Sequence, residues 1–443
     1  MRKLPLTIKL RMWLDYLKYL IFLQQGETIR VLMGFLIFIL SVYLLEHELV
    51  SKLKDPHGEQ TLNLIIILII IKFIWESYVT QSELRSYFHI QRSILRNNLT
   101  KPYVSPNPKE KENGFQAVEI PGNKADLIFV SEKVNEYIRQ TPLPITLSTH
   151  KQQEMRKYIH KHREILLQYF NHYFFNSLYS NRQFTNERKL CLSKDIHLNS
   201  KQAVCHVGGY YDSFVTNQVS GTTLLIKDKV HTTITTEHIF PSVQDGDGNH
   251  FLSDISSSQM NDHLGCSTIG FTKDNFIILW TQGTNNMFSK DLLAPTGSGS
   301  TNYSDLTHHN LQKTVIKTME RELSEETIYH SDLSKEASLN LNQANLNKTL
   351  ILGFYRWVTR GGKPEFTGIT KLAGSADEYK PRLEEMRSRA PLKLKIGTID
   401  ELPKVIGQIK SRPNLSTPLY MCLYQLEQMY KNHKEELKEF LFD

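Results

Sequence analysis

Apolar positions crowd into the first quarter of the chain. Residues 31–45 (VLMGFLIFILSVYLL) form a run of fifteen uncharged residues, and residues 60–75 (QTLNLIIILIIIKFIW) a second run broken only by Lys72. At 1.5 Å per residue the first covers about 22 Å, short of a ~30 Å hydrocarbon core until its neighbours lengthen it. Ile29 and the apolar stem of Lys72 supply that length. A pair of buried core helices is the alternative. Residues 62–71, however, are all Leu and Ile except Asn63, and two such runs flanking a short polar loop read as a transmembrane hairpin over 29–76.

Residues 4–23 (LPLTIKLRMWLDYLKYLIFL) read as an amphipathic basic helix lying on a membrane surface, the core of a segment 1–28. Its basic residues are interspersed and no small-residue cleavage site follows, unlike a signal peptide. Arg2, Lys3, Lys9, Arg11, Lys18 and Arg30 precede the first run, and Arg85, Arg92, Arg96 and Lys101 follow the second. The positive-inside rule then gives a two-pass membrane protein with its N-terminus and C-terminal domain cytoplasmic, and the lipid bilayer as a partner. Residues 77–112 read as a stalk helix running into a linker, the stretch KPYVSPNPKEKENG having three prolines and a charge run.

Residues 113–187 predict a small mixed segment. Strands are expected near 115–120 and 125–130, then a short helix capped by Ser131, then helical sequence over 149–179. From 188 onward β-type segments dominate: KLCLSKDI, GTTLLIKDKVHTTITT, GCSTIGFTKDNFIILWTQ and TLILGFYRWVTR. One helix, 310–327, lies between the third and fourth, and residues 381–443 form a C-terminal α/β extension. The order indicates an α+β domain with a mixed sheet.

Composition narrows the classes. The 443 residues hold 53 Lys and Arg against 46 Asp and Glu, a net charge of +7 with no basic stripe interleaved with aromatics, so nucleic acid is not an expected partner. Cys191, Cys205, Cys266 and Cys422 contain no Cys-x-x-Cys pair, which argues against a disulfide framework and a zinc ribbon.

The chemistry concentrates in the helix LQKTVIKTMERELSEETIY, 311–329. Glu322, Glu325 and Glu326 stand at i, i+3 and i+4 and share one face. Three mutually repelling carboxylates suit a hard cation, Mg²⁺ or Mn²⁺, that also keeps waters and substrate phosphates. Arg321 can hold one carboxylate in a bidentate contact. Spacing alone favours a solvated acidic face over a metal site.

RELSEET resembles the core of the Nudix box, in which Arg-Glu-hydrophobic-x-Glu-Glu is matched by Arg321, Glu322, Leu323, Glu325 and Glu326, with Tyr329 as the closing hydrophobic. GCSTIGFTKDNFIILWTQ is similar to the family's strand pair before the box. The Pro-x-Gly of LAPTGSGS (Pro295, Gly297, Gly299) resembles the turn into it. The resemblance covers residues 188–380 and implies an α/β/α sandwich hydrolysing a nucleoside diphosphate linked to another moiety. It also implies Glu322, Glu325 and Glu326 as metal ligands, Glu322 and Arg321 as catalytic residues, and Gly297 and Gly299 on the substrate side. The sequence departs from the pattern in three places. Gly297 precedes Arg321 by twenty-four residues instead of fourteen, which implies an inserted loop, STNYSDLTHHN. Lys313 stands at the upstream Glu position, and Ile328 at the late Gly.

TRGGKPEF adds a candidate phosphate loop, in which Gly361 and Gly362 admit backbone N–H groups while Arg360 and Lys363 supply charge. A hairpin turn with a basic rim is the alternative. Tyr355, Trp357 and Phe366 are candidates to stack a base, although aromatics on a strand are commonly core. His308 and His309 lie in the inserted loop. Asp245, Asp247 and Asn249 resemble the start of a calcium loop but lack its Gly and its closing Glu, so a plain turn is expected. Asp212, Thr216 and Asn217 suggest no role. The leading function is a membrane-anchored, metal-dependent hydrolase of a nucleotide-type small molecule. The runner-up is a membrane effector that senses a nucleotide without turnover, its hairpin acting by homo-oligomerising or disturbing the bilayer. That layout is similar to bacterial antiviral effectors.

Overall fold

The structure is a computed structural model, and it describes residues 4–23, 88–92, 104–121, 126–220, 222–226, 232–234, 240–282, 292–329, 348–381 and 391–442. Two compact units divide the chain: Met1–Gln91 with Lys157–Asn186 and Leu224–Ile234, and Arg92–Arg156 with Glu187–Thr223 and Thr235–Asp443. Among the described residues the α-helices of five or more residues are, in chain order, α1 (Leu6–Leu23), α2 (Pro108–Glu112), α3 (Glu132–Gln140), α4 (His150–Lys161), α5 (Arg163–Tyr179), α6 (Leu311–Glu326), α7 (Leu402–Lys410), α8 (Thr417–Asn432) and α9 (Lys434–Phe442).

In the first unit, α1 turns Met12, Tyr16, Tyr19 and Leu23 inward against α5. Tyr16 stacks on Phe174 with ring centroids 4.1 Å apart, and its hydroxyl donates to Asn171 at 2.9 Å. The face expected to lie on a membrane is therefore divided: its aromatic half is covered by α5, while Leu6, Leu10, Leu14 and Leu17 stay exposed.

Among the described residues no helix is long and apolar enough to cross a membrane. The expected transmembrane hairpin, and with it the two-pass membrane placement, therefore has no helix to carry it among the described residues. The two apolar runs on which they were based, within 29–76, lie outside the described residues. The stalk expected over 77–99 is described only at Phe88–Arg92, which is a strand and not helix. It joins Thr222–Ile226 and Thr232–Ile234 in a separate three-stranded sheet.

The second unit is organised by a nine-stranded mixed sheet. Its strands and the neighbouring ones are β1 (Gln116–Glu119), β2 (Leu127–Val130), β3 (Ile145–Leu147), β4 (Arg188–Leu192), β5 (Ala203–Gly209), β6 (Gly265–Phe271), β7 (Phe276–Thr281), β8 (Leu293–Ala294), β9 (Gly297–Ser300), β10 (Thr327–Tyr329), β11 (Lys348–Trp357), β12 (Lys363–Lys371), β13 (Tyr379–Pro381) and β14 (Leu392–Lys395). The order is β8-β7-β6-β12-β11-β2-β1, with β9 on β6 and β14 on β7. β6 and β12 run parallel from Gly265↔Glu365 to Phe271↔Lys371, while the other pairs are antiparallel. One edge of β6 is shared: residues 265–268 pair with β9, and Gly270 and Phe271 with β7.

Helices cover both faces of this sheet. On one, Leu311, Val315 and Met319 of α6 and Val134 and Ile138 of α3 pack with Cys266, Phe354 and Phe366. On the other, Leu402, Leu419, Leu423 and Leu437 of α7, α8 and α9 pack with Ile269, Ile277, Leu352 and Ile369. Burial from both sides explains why β7 (FIILWT) is nearly all apolar instead of alternating.

The expected boundaries inside this unit shift accordingly. The small mixed segment is no separate element, since β1 and β2 extend the main sheet and α3, capped by Ser131, lies on it. The C-terminal extension supplies the second helical layer. The expected linker contains α2, started by the Asn107 capping box and Pro108. Its Glu110 is buried and pairs with the buried Arg356 at 2.5 Å, so the charge run provides an interior ion pair.

Candidate functional site

α6 begins at Asn310, whose side chain accepts from Lys313 N–H at 2.9 Å, and buries Leu311, Val315, Met319 and Leu323 along one stripe. That stripe lies on β6 and β9, and glycine permits the approach. A Cβ on Gly297 would stand 2.6 Å from the Leu323 Cα, and one on Gly299 would stand 2.1 Å from the Glu322 carboxyl carbon. The two glycines therefore face the helix, in place of the expected contact with substrate, and Gly299 makes the room that the Glu322 carboxylate occupies.

The last turns of α6 present the acidic residues to the backbone of β9. Ser300 N–H donates to Glu322 Oε1 at 3.1 Å, and Ser298 N–H to Glu326 Oε2 at 3.2 Å. Arg321 ties the group together. Its Nε and Nη2 donate to Asp305 at 3.0 and 2.9 Å, its Nη2 lies 2.9 Å from Glu322 Oε1, and its Nη1 donates to Glu325 at 2.9 Å. Asp305 is buried in the turn Tyr303–Asp305. This residue of the inserted loop is the partner that sequence reasoning missed. The Asn302-x-x-Asp305 spacing, a capping box, was the available signal.

Glu322 is 12% exposed and Glu325 50% exposed. Burial pushes the Glu322 carboxyl up to about 7; Glu325 adds to this, while Arg321 and Lys189 oppose it. Arg321 has the reverse balance: burial disfavours its charge, and Glu322, Asp305 and Glu325 more than restore it. Lys189, from β4, reaches the same cluster and donates to Asn302 Oδ1 at 2.6 Å.

The expected ligand set is not assembled as a cage. Among the described residues no group of three or more His, Cys, Asp and Glu side chains is placed to hold a metal ion. Glu322 and Glu326 each give an oxygen to β9, and Glu325 is engaged by Arg321. Mg²⁺ and Mn²⁺ do not require a cage, because one or two carboxylates and substrate phosphates suffice. Glu325 is half-exposed and open to such a cation, whereas Glu326 is buried against β9.

The candidate phosphate loop turns inward. Gly361 and Gly362 have φ of +61° and +75°, which only glycine adopts freely, and both are buried. A Cβ on Gly361 would stand 2.7 Å from Ser220 Oγ, and one on Gly362 2.6 Å from Arg356 Nη2. Lys363 is buried and ion-paired with Glu365. Arg360 lies over the Trp357 ring, 3.8 Å from its centroid. The TRGG segment is thus an interior hairpin turn, and backbone N–H groups at its glycines are not presented to a phosphate. Tyr355, Trp357 and Phe366 are buried core residues and not a base platform.

His308 and His309 are exposed just before Asn310. Glu322 lies twelve residues further along, about 18 Å down the axis, so neither histidine joins the site. Asp245 closes the turn 245–249 by accepting from Asp247 and Asn249 N–H, as expected of a plain turn. Asn217 and Asp262 exchange two hydrogen bonds at 2.8 Å in the interior.

No family model and no curated protein matches the chain. Among solved structures it is similar to DR0079 from Deinococcus radiodurans, at 8% identity and a TM-score of 0.24, over 37% of this chain and 82% of that one. A likeness of that size carries no argument.

Proposed function

We propose that the second unit is a Nudix-like hydrolase of a nucleoside diphosphate linked to another moiety, with Glu322 as its general base. One observation supports this most directly. Glu322 is set against Gly299, fixed by Ser300 N–H and Arg321, and brought by burial to a proton affinity near neutrality. A base so poised both takes and returns a proton at working pH. Its position is also locally unfavourable. The last turn of α6 contains no basic residue, and the helix dipole disfavours carboxylates there. Breaking a local rule while surrounding the offending group with specific contacts is characteristic of a functional site.

In this reading Glu322 takes a proton from water as the water oxygen attacks a phosphorus of the diphosphate and one bridging P–O bond breaks. Arg321, locked by Asp305, holds Glu322 in place. Mg²⁺ or Mn²⁺, held by Glu325, would supply Lewis-acid neutralisation of the phosphate charge.

A second reading, nucleotide binding without turnover, is favoured by Lys313 at the upstream Glu position. The full chain, offered nucleotide sugars, dinucleotides and ADP-ribose with Mg²⁺ or Mn²⁺, separates the two. Product release that Glu322→Gln abolishes supports hydrolysis. Nucleotide binding with no product from any substrate refutes it.

A further inference from the structure

The insertion between the glycine strand and the acidic helix is tightly built. Asn302 N–H donates to Asp305 Oδ2 at 2.8 Å and closes the turn. β4 grips that turn from one side. Lys189 and Asn302 form an isolated backbone bridge, and Leu190 N–H donates to Thr301 O at 3.0 Å. Arg188 stands over the Tyr303 ring, 4.5 Å from its centroid. From the other side Asp305 takes Arg321 of α6. One short turn therefore holds a cation from β4 and a cation from α6. Arg321 contacts Glu322 directly, while Lys189 is fixed on Asn302, two residues from Ser300, whose N–H donates to Glu322.

The partners of Lys189 are informative. It is a buried lysine, which is costly unless the charge is used. Its nearest carboxylate, Glu187, lies 3.3 Å away on a side chain 35% exposed. The shorter bond, 2.6 Å, goes to the neutral amide of Asn302. An amide fixes the position of an ammonium without cancelling its charge; Asn302 and Glu187 together take two of its three N–H donors, and the Tyr210 ring centroid lies 5.7 Å away. With the TRGG turn directed inward, Lys189 is a described lysine that the inserted turn holds near the acidic end of α6.

We propose that Lys189 is a phosphate-binding residue of this site and that Asn302 is its positioning residue, the inserted turn setting Lys189 and Arg321 as two fixed cations beside the substrate diphosphate. The proposal rests on the hydrolase reading for its substrate class. The ammonium donates to phosphate oxygens as a point charge, and the turn removes the freedom of a long side chain before substrate arrives.

The test uses the full chain and four variants: Lys189→Met, Lys189→Arg, Asn302→Ala, and the control Lys404→Met on the exposed side of α7. Two quantities are read, the split between KM and kcat for a nucleotide substrate and the calorimetric Kd of inorganic pyrophosphate. Loss of a charged hydrogen bond predicts that Lys189→Met raises KM and Kd about 10-fold or more and changes kcat less than about threefold. Asn302→Ala should fall between wild type and Lys189→Met, Lys189→Arg should recover part of the affinity, and Lys404→Met should match wild type. If Lys189→Met does not fold, Asn302→Ala, which keeps the ammonium, decides by the same readings. Unchanged KM and Kd in the folded variants, or Lys189→Arg no better than Lys189→Met, overturns the assignment. Pyrophosphate binding that depends on Lys189 in a protein with no turnover upholds the assignment and refutes the hydrolase. Turnover with a KM independent of Lys189 does the reverse.

Discussion

Replacing Glu322 by Gln should make the protein more stable at alkaline pH while destroying its activity. In the folded chain the carboxyl titrates near 7, against an ordinary value of 4.5. A folded-state value above the unfolded one means the native state binds the proton more tightly. Wild-type stability is therefore fully present below 4.5 and is lost as pH rises through 4.5 to 7. At about 1.4 kcal/mol per pH unit, the loss over that interval is at most about 3.5 kcal/mol. Gln keeps the volume and can still accept from Ser300 N–H, but has no charge to lose. Arg321 keeps Asp305 and Glu325 as partners. Urea unfolding of both proteins at pH 5 and pH 8 should show near-equal midpoints at pH 5 and the variant ahead by about 1–3 kcal/mol at pH 8. A gap that stays constant between the two pH values, or that favours wild type at pH 8, would refute the argument that Glu322 is held against its own charge.

Gly297 and Gly299 should behave differently when changed to Ala. At Gly297 the new methyl meets the Leu323 backbone, so Gly297→Ala should lower the urea midpoint sharply; at Gly299 it meets the movable Glu322 carboxylate, so Gly299→Ala should stay folded and lose turnover. Glu110→Ala leaves the buried Arg356 without its closest carboxylate and should cost about 3–5 kcal/mol in denaturant unfolding. Glu325→Gln, half-exposed, should change stability by less than about 0.5 kcal/mol yet cut metal-dependent turnover by roughly 10²-fold. Chelation with EDTA should stop turnover and adding Mg²⁺ should restore it, which a coupled phosphate assay reads directly.

Local signals in the sequence proved legible where one segment decides its own structure. The helix expected over 310–327 is α6, found at Leu311–Glu326. Ser131 announced α3, and the Ile- and Phe-rich runs announced β7 and β11. What stayed hidden were partners far apart in the chain. Nothing local to PKEKE says that Glu110 meets Arg356, 246 residues away. The charge run looked solvated because its interior partner lay elsewhere. Asp305 was concealed in the same way, inside an insertion that resembled slack. The glycines of TGSGS and TRGG were read as openings for a ligand, whereas they admit a helix and an interior turn. An apolar stretch, finally, reports a need for burial and not the medium that meets it. The aromatic face of α1 is met by α5.

If Glu322 directs water onto phosphorus, as proposed, the oxygen of that water ends on a product phosphate and can be followed. The full chain is incubated with its nucleotide substrate and Mg²⁺ in ¹⁸O-water, and the products are read by ³¹P NMR. The account predicts one ¹⁸O-shifted phosphorus in the wild-type products and, from Glu322→Gln, label appearing at least about 10²-fold more slowly. Label appearing at the same rate in both proteins, or products formed without label on phosphorus, would contradict it.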